Sequence, residues 1–220
     1  MRASRTAAGS AVLDIPAGRI RFIAAERDTT TVEVLPADAS KSRDVKTAEQ
    51  IQVACADGVL RIEAPQAKNQ ILGNTGSVEV TVQLPAGSRV EARSAAAELR
   101  GVGRLGDVVF DGAHGSVKLD EAASVRLTGL DATITVGRLN GPGEISTQRG
   151  DVTVTEAMSG TLTLSTRQGD ITVSAARGVA ATLDVGTAYG HIHNTLTNTG
   201  STSLAVKATT GQGDITARSL

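Results

Sequence analysis

The sequence predicts an all-β fold, a parallel β-solenoid, and three observations lead there. A short unit recurs as Gly150-Asp151-Val152-Thr153-Val154, Gly169-Asp170-Ile171-Thr172-Val173 and Gly213-Asp214-Ile215-Thr216-Ala217. Within each unit apolar and hydroxyl residues alternate, so Val152 and Val154 share one face of a strand and Thr153 takes the other. Strand starts then fall about nine to ten residues apart from about residue 90 onward, which makes a coil of about 19–20 residues from two short strands. Gly permits positive φ at each corner, and Asp can bond nearby backbone. One unit cannot bury its apolar face alone, so coils must stack around a shared core. Two Phe, one Tyr and no Trp suit a narrow bore filled by Val, Ile, Leu and Ala. The scarcity of Asn-Gly hairpin turns argues against a sandwich. The usual hand of parallel crossovers predicts a right-handed helix.

Taken in order, residues 1–10 read as a disordered arm. Residues 11–87 read as a small N-terminal antiparallel β region that caps one end, and 88–220 as the solenoid repeats. Within the cap, Ala11–Ile15 is a strand stopped by Pro16, Arg19–Ala24 a second, and Thr30–Leu35 a third. Arg43–Gln50 fits a short helix capped by Ser40 or Ser42. Ile51–Cys55 and Val59–Ile62 pair across Asp57-Gly58, a hairpin signal. Residues 64–76 form a polar loop. Val78, Val80, Val82 and Leu84 line one face of a strand closed by Pro85-Ala86-Gly87. In the solenoid, Leu99, Leu105, Val108 and Phe110 repeat less regularly than the units after Gly115, and longer inserts fall at 175–180 and 195–202.

With 22 basic and 23 acidic residues the net charge is −1, so no global field draws the chain to nucleic acid. No apolar run approaches the ~20 residues of a membrane span, so no membrane insertion is expected. Asp14, Pro16 and Arg19 interrupt any apolar segment behind Met1–Thr6, so a cytoplasmic location is expected unless a leader is missing. The single Cys55 excludes an internal disulfide and fits a reducing compartment.

Val78–Ala92, together with the Gly-Asp-Val/Ile strands, the segment Ala188–Leu196 and Asp44–Gln50, resembles the bacterial β-strand-repeat family labelled "putative adhesin", a domain of unknown function. The resemblance covers nearly the whole chain and implies a β-solenoid.

Asp107, Asp151, Asp170 and Asp214 could stack into a carboxylate row for metal or sugar hydrolysis, but glycoside hydrolysis needs two carboxylates across one cleft at ~5–9.5 Å. They are read as turn residues. His191 and His193 point the same way from a strand, as two zinc ligands would, and His114 or a carboxylate would have to complete the set. They are read as a solvent-facing pair. Cys55, in phase with Ile51 and Val53, is read as a small buried hydrophobe. Gly101–Gly106 lacks the Lys-Ser/Thr ending of a phosphate loop, which leaves Arg100 and Arg104 as solvated turn charges. Thr153, Thr163 and Thr172 are read as solvated outward ladders. No catalytic, cofactor-binding or metal residue is therefore assigned.

The function expected is a non-enzymatic interaction scaffold, working through a solenoid face or the two long inserts. One alternative is a self-assembling structural protein, similar in principle to bactofilins, joined through an open C-terminal coil at Gly213–Leu220, where Lys207 and Arg218 stand without a lid. The other is a carbohydrate-active β-helix enzyme. The partner is either an unknown protein or a second copy at that C-terminal edge.

Overall fold

The structure is a computed structural model that describes residues 2–6, 9–65, 76–198, 200 and 203–220. Most of the loop expected at 64–76, and part of the insert at 195–202, lie outside the described residues. The chain forms a parallel β-solenoid with one short helix.

The N-terminal part holds β1 (Arg2–Thr6), β2 (Ser10–Ala25), β3 (Thr30–Pro36), α1 (Ser42–Gln50), β4 (Gln52–Ala56), β5 (Val59–Glu63) and β6 (Val78–Pro85). Residues 2–6 are not a loose arm, because β1 pairs antiparallel with β3. Nor is the region antiparallel throughout. β2 runs parallel to β5 and β6 on one side and to the first coil on the other. It therefore belongs to the stack, and the antiparallel pairs β3·β6 and β4·β5 lie beyond it. Pro16 does not end β2. The parallel pairing passes over it, and its carbonyl accepts the Ser94 hydroxyl at 3.3 Å.

The Asp57-Gly58 hairpin forms as expected, with φ of 51° and 73°. Among the described residues β4 has a ladder partner on one side alone, and Cys55 is exposed and not buried. The helix starts from Lys41 with no side-chain cap. Ser40 bonds Asp38 instead, and the buried Asp44 carboxylate accepts the Ser77 N–H at 3.0 Å, which ties α1 to the start of β6.

The long element β7 (Arg89–Leu139) winds through several corners in extended backbone. It is followed by β8 (Gly143–Ser146), β9 (Val152–Ala157), β10 (Gly160–Gln168) and β11 (Ile171–Ala175). The register steps from Val125 to Gly143 to Leu162, and from Ile134 to Val152 to Ile171, so a coil takes 18 and then 19 residues. Like residues fall in columns because each coil repeats the phase of the one below. Ile134, Val152 and Ile171 stack inward, as do Leu127, Ile145 and Leu164, and all six are buried. One continuous core runs from Ala11 to Ala217 and takes in both Phe22 and Phe110.

The far end departs from sequence order. β12 (Ala181–Tyr189) and β13 (Ile192–Thr195) precede β14 (Leu204–Gln212) and β15 (Ile215–Ser219) in the chain, yet the later pair lies between. β14 is paired with β10 on one side and β12 on the other, and β15 with β11 and β13. The coil expected to be open, Gly213–Leu220, is therefore interior. The physical reason is register: Ile215 and Thr216 complete the columns of Ile171 and Thr172 directly. The end layer is 181–195, whose strands each have a ladder partner on one side alone.

Layer order sets the cost of truncation. Ile215 is fully buried while Ile192, next in the same column, is 47% exposed. Ile215→Ala should cost about 2–5 kcal/mol, and Ile192→Ala well under half of that, by chemical denaturation. An order following the sequence would reverse the two.

Candidate functional site

The repeated Gly-Asp corner comes first, because it carried the catalytic alternative. Gly169 has φ 147°, and a Cβ there would sit 2.2 Å from the Gly150 carbonyl oxygen. Gly213 stands in the same relation to Gly169, and Gly190 to Gly213. The glycine is needed for its dihedral and also because consecutive coils touch backbone to backbone at this corner.

The Asp that follows does not cap its own turn. Asp151 Oδ1 accepts the Asp170 N–H at 2.9 Å, Asp170 Oδ1 accepts the Asp214 N–H at 2.8 Å, and Asp214 Oδ1 accepts the His191 N–H at 2.8 Å. A second column runs beside it. Buried Thr166 and Thr210 donate their hydroxyls to the Gly150 and Gly169 carbonyls, and Thr187 donates to Gly213. The acidic row thus exists, and each carboxylate spends an oxygen on the next coil. Asp107 is not in it; it faces Ser124 and Arg89 elsewhere on the surface.

Both columns end at the terminal coil, where Gly190 and Ile192 keep the repeat and the positions around them change character. Tyr189-Gly190-His191-Ile192-His193-Asn194 takes the places held by Gln212-Gly213-Asp214-Ile215-Thr216-Ala217. His191 stands where an Asp would offer a carboxylate to a further layer. Asn194 closes the column of Val154, Val173 and Ala217. A polar outer face of this kind is what a terminal repeat requires.

The two histidines are exposed, and the His191 imidazole lies 3.4 Å from Asp214. His114 lies at a different corner layer, and no group of three or more metal-ligating side chains occurs among the described residues. His193 ends the outward column of Thr135, Thr153, Thr172 and Thr216. Thr163 is on another column, between Glu144 and Lys207. Arg100 is held by Asp120 at 2.5 Å and reaches the Gly101 carbonyl, so it is a structural charge and not a free anion ligand.

Beside a groove near Arg19, Glu79 and Glu98 toward the N-terminal end, two more lie on the flanks among the described residues. One is lined by Arg89, Asp107, Ser124, Arg126 and Glu144, and its charges are mutually matched: Arg126 meets Glu144 at 3.2 Å and Asp107 accepts from Ser124 at 2.7 Å. The other, of about 740 Å³, runs along the solenoid axis just ahead of the glycine corner. Backbone register aligns Asp131, Arg149, Gln168, Gln212 and Tyr189 along it, one per coil. Gln168 Nε2 donates to Gln212 Oε1 at 3.1 Å, and Arg149 meets Asp131 at 3.2 Å. Leu130 and Tyr189, two of the few exposed large hydrophobic side chains among the described residues, both line it at 47% and 74% exposure. Arg167 lies in it with no ion pair or side-chain hydrogen bond among the described residues. Sequence reasoning passed over this groove because its residues come from six separate coils. The one available signal was Tyr189 standing where the repeat has Gln.

The family model Toastrack DUF4097 matches residues 12–219. The chain belongs to the Toastrack family. No curated protein matches it. Among solved structures this Toastrack chain is similar to a "putative adhesin" from Bacteroides fragilis, at 14% identity over 98% of this chain and 96% of that one, with a TM-score of 0.49. It is also similar to a "putative cell adhesion protein" from Clostridium sporogenes, at 13% identity, 100% and 99% coverage and a TM-score of 0.44. A "putative lipid binding protein" from Parabacteroides distasonis matches at 11% identity, 98% and 96% coverage and a TM-score of 0.46. No helix among the described residues is long and apolar enough to cross a membrane.

Two outcomes follow from the Toastrack corner. Gly169→Ala should destabilise by at least ~1–3 kcal/mol through backbone strain and the blocked carbonyl, whereas Gly178→Ala, with open space around it, should be milder; thermal melts compare them. The Asp214 carboxyl is held below its ordinary value of 3.8, first by the His191 backbone N–H and then by the His191 side chain. A carboxyl lowered on folding stabilises fully above its unfolded value, and that stabilisation is lost as pH falls through the lower folded value. Stability should therefore decline below pH 3.8 more steeply in the native chain than in Asp214→Asn, as read by denaturation at stepped pH.

Proposed function

We propose that this protein is a non-enzymatic, adhesin-like interaction scaffold that binds its partner through the axial groove containing Tyr189. One observation carries the reading. This face combines a bare aromatic ring, an exposed leucine and a guanidinium with no ion pair among the described residues. Exposed apolar side chains gathered with polar groups in one concave strip are how interaction sites differ from ordinary surface.

The enzyme alternative is less well supported, since Asp151, Asp170 and Asp214 are engaged in holding one coil to the next. The end-joining alternative now concerns 181–195. The polar substitutions His191, His193 and Asn194 there favour a closed end over a seam, although β12 and β13 each keep one open edge. A reducing compartment fits the same reading, because a free, exposed thiol such as Cys55 persists there.

A photo-crosslinking amino acid at position 189, compared with one at 163 on a neighbouring face, tests the assignment in cells. Adducts at 189 and none at 163 are expected. Equal adducts at both positions, or adducts at 163 alone, would contradict it.

A further inference from the structure

We infer that the groove is a site for a carboxylate-bearing glycan, with a uronate ring seated between Arg167 and Tyr189. The inference rests on the reading of this groove as the working face and names the ligand class it takes.

The shape is set by backbone contact. Thr166 and Gln168 pair with Thr210 and Gln212, which in turn pair with Thr187 and Tyr189, so Arg167, Gly211 and Ala188 stand level between them. A Cβ at Gly211 would come within 2.7 Å of the Arg167 carbonyl oxygen. The two layers beyond Arg167 therefore carry almost no side chain, and they leave a step floored by Gly211 and Ala188. Tyr189 stands at the outer end of that step and Arg167 at the inner end, about two strand spacings apart, or roughly 10 Å. A single pyranose ring with its substituents fills such a step.

The chemistry of the walls matches a sugar acid. Tyr189 offers an uncovered ring face on which the C–H face of a pyranose can lie, with a phenol at its rim. The Gln168 and Gln212 amides both donate and accept, as sugar hydroxyls do, and their one mutual bond leaves further donors and acceptors free. Arg167 is an unmatched guanidinium, and the fork of a guanidinium fits a carboxylate in two parallel bonds. Among the described lining residues Arg149 is matched by Asp131 at 3.2 Å, whereas Arg167 faces no carboxylate and supplies an uncompensated positive charge on a chain of net charge −1. The paired charges of the other groove offer no such complement. An acidic peptide would satisfy Arg167 but would leave the amide pair and the ring face without counterparts.

The test is calorimetric titration of the full chain with oligogalacturonate and with hyaluronan oligosaccharides. A neutral galactan of equal length and a poly-glutamate peptide serve as comparisons. Both substituted side chains are exposed, and thermal melts confirm that Tyr189→Ala and Arg167→Gln stay folded. At least one acidic glycan should bind, weaken with salt, exceed the neutral one, and lose about tenfold or more in each variant. If neither acidic glycan binds, or if binding is unchanged in both variants, the inference is overturned. Binding of poly-glutamate alone, lost in Arg167→Gln, would overturn the glycan and leave the groove as the working face. Absence of crosslinks at position 189 would instead remove the groove itself.

Discussion

The structure depends on one contact, the corner where a positive-φ glycine lets a coil settle onto the carbonyl of the coil beneath. At Gly169 and Gly213 no side chain could occupy the space between layers. Everything nearby follows from that approach. The residue after the glycine has its N–H within reach of the Asp on the neighbouring coil, and the Thr three residues before it has its hydroxyl within reach of the glycine carbonyl below. Backbone groups that a bent strand would leave unpaired are thus bonded by side chains of the neighbouring coil. The corner also fixes the phase of the strands that follow. That is why Val152, Ile171 and Ile215 stack in one column of the bore.

The same contact explains how the chain can place its last coil inside the stack. A layer is accepted wherever its Gly, Asp and apolar positions match both neighbours, and Gln212–Ala217 matches on both sides. Tyr189–Asn194 matches on one side only. Its Gly190 still admits the Gly213 carbonyl, but His191 offers no carboxylate onward. The chain crosses to the outer layer first and returns to fill the gap. The antiparallel pairs β3·β6 and β4·β5 with α1 cover the opposite end, so the flanks carry the surface that differs from coil to coil. A groove whose residues vary along the axis, from Arg149 to Gln168 and Gln212 to Tyr189, can be specific on a scaffold whose inward columns repeat Val, Ile and Leu.

Much of this was legible from residues. Period-two alternation in Val152–Val154 and Ile171–Val173 gave the strands and their inward faces, and Asp57-Gly58 gave the hairpin. The coil length came out within a residue for the coils up to Ile171, where corners repeat at nearly fixed spacing, while the inserts lengthen the steps from Gly160 to Ala181 and from Ala181 to Leu204. The layer order was not legible from chain order, since adjacency in a solenoid is decided by column matching and not by sequence distance. The departures at Tyr189, His191, His193 and Asn194 were visible, but they read as candidate ligands until their columns were known. Cys55 was misread for a related reason: its alternation with Ile51 and Val53 is real, yet among the described residues β4 has no second neighbour to bury it. The groove was hidden because no two of its aligned residues are close in sequence.

The layer order is the claim on which the groove, the closed end and the columns all stand. Residue-resolved native-state hydrogen exchange tests it most directly. The Ile171 amide, bonded to the Asp214 carbonyl of the interior layer, should exchange only with global unfolding, while β12 and β13 open at lower free energy as the outermost layer and release the Ile215 amide from the His191 carbonyl with them. If residues 204–219 open first and 181–195 exchange with the core, the coils follow the sequence and the account is wrong.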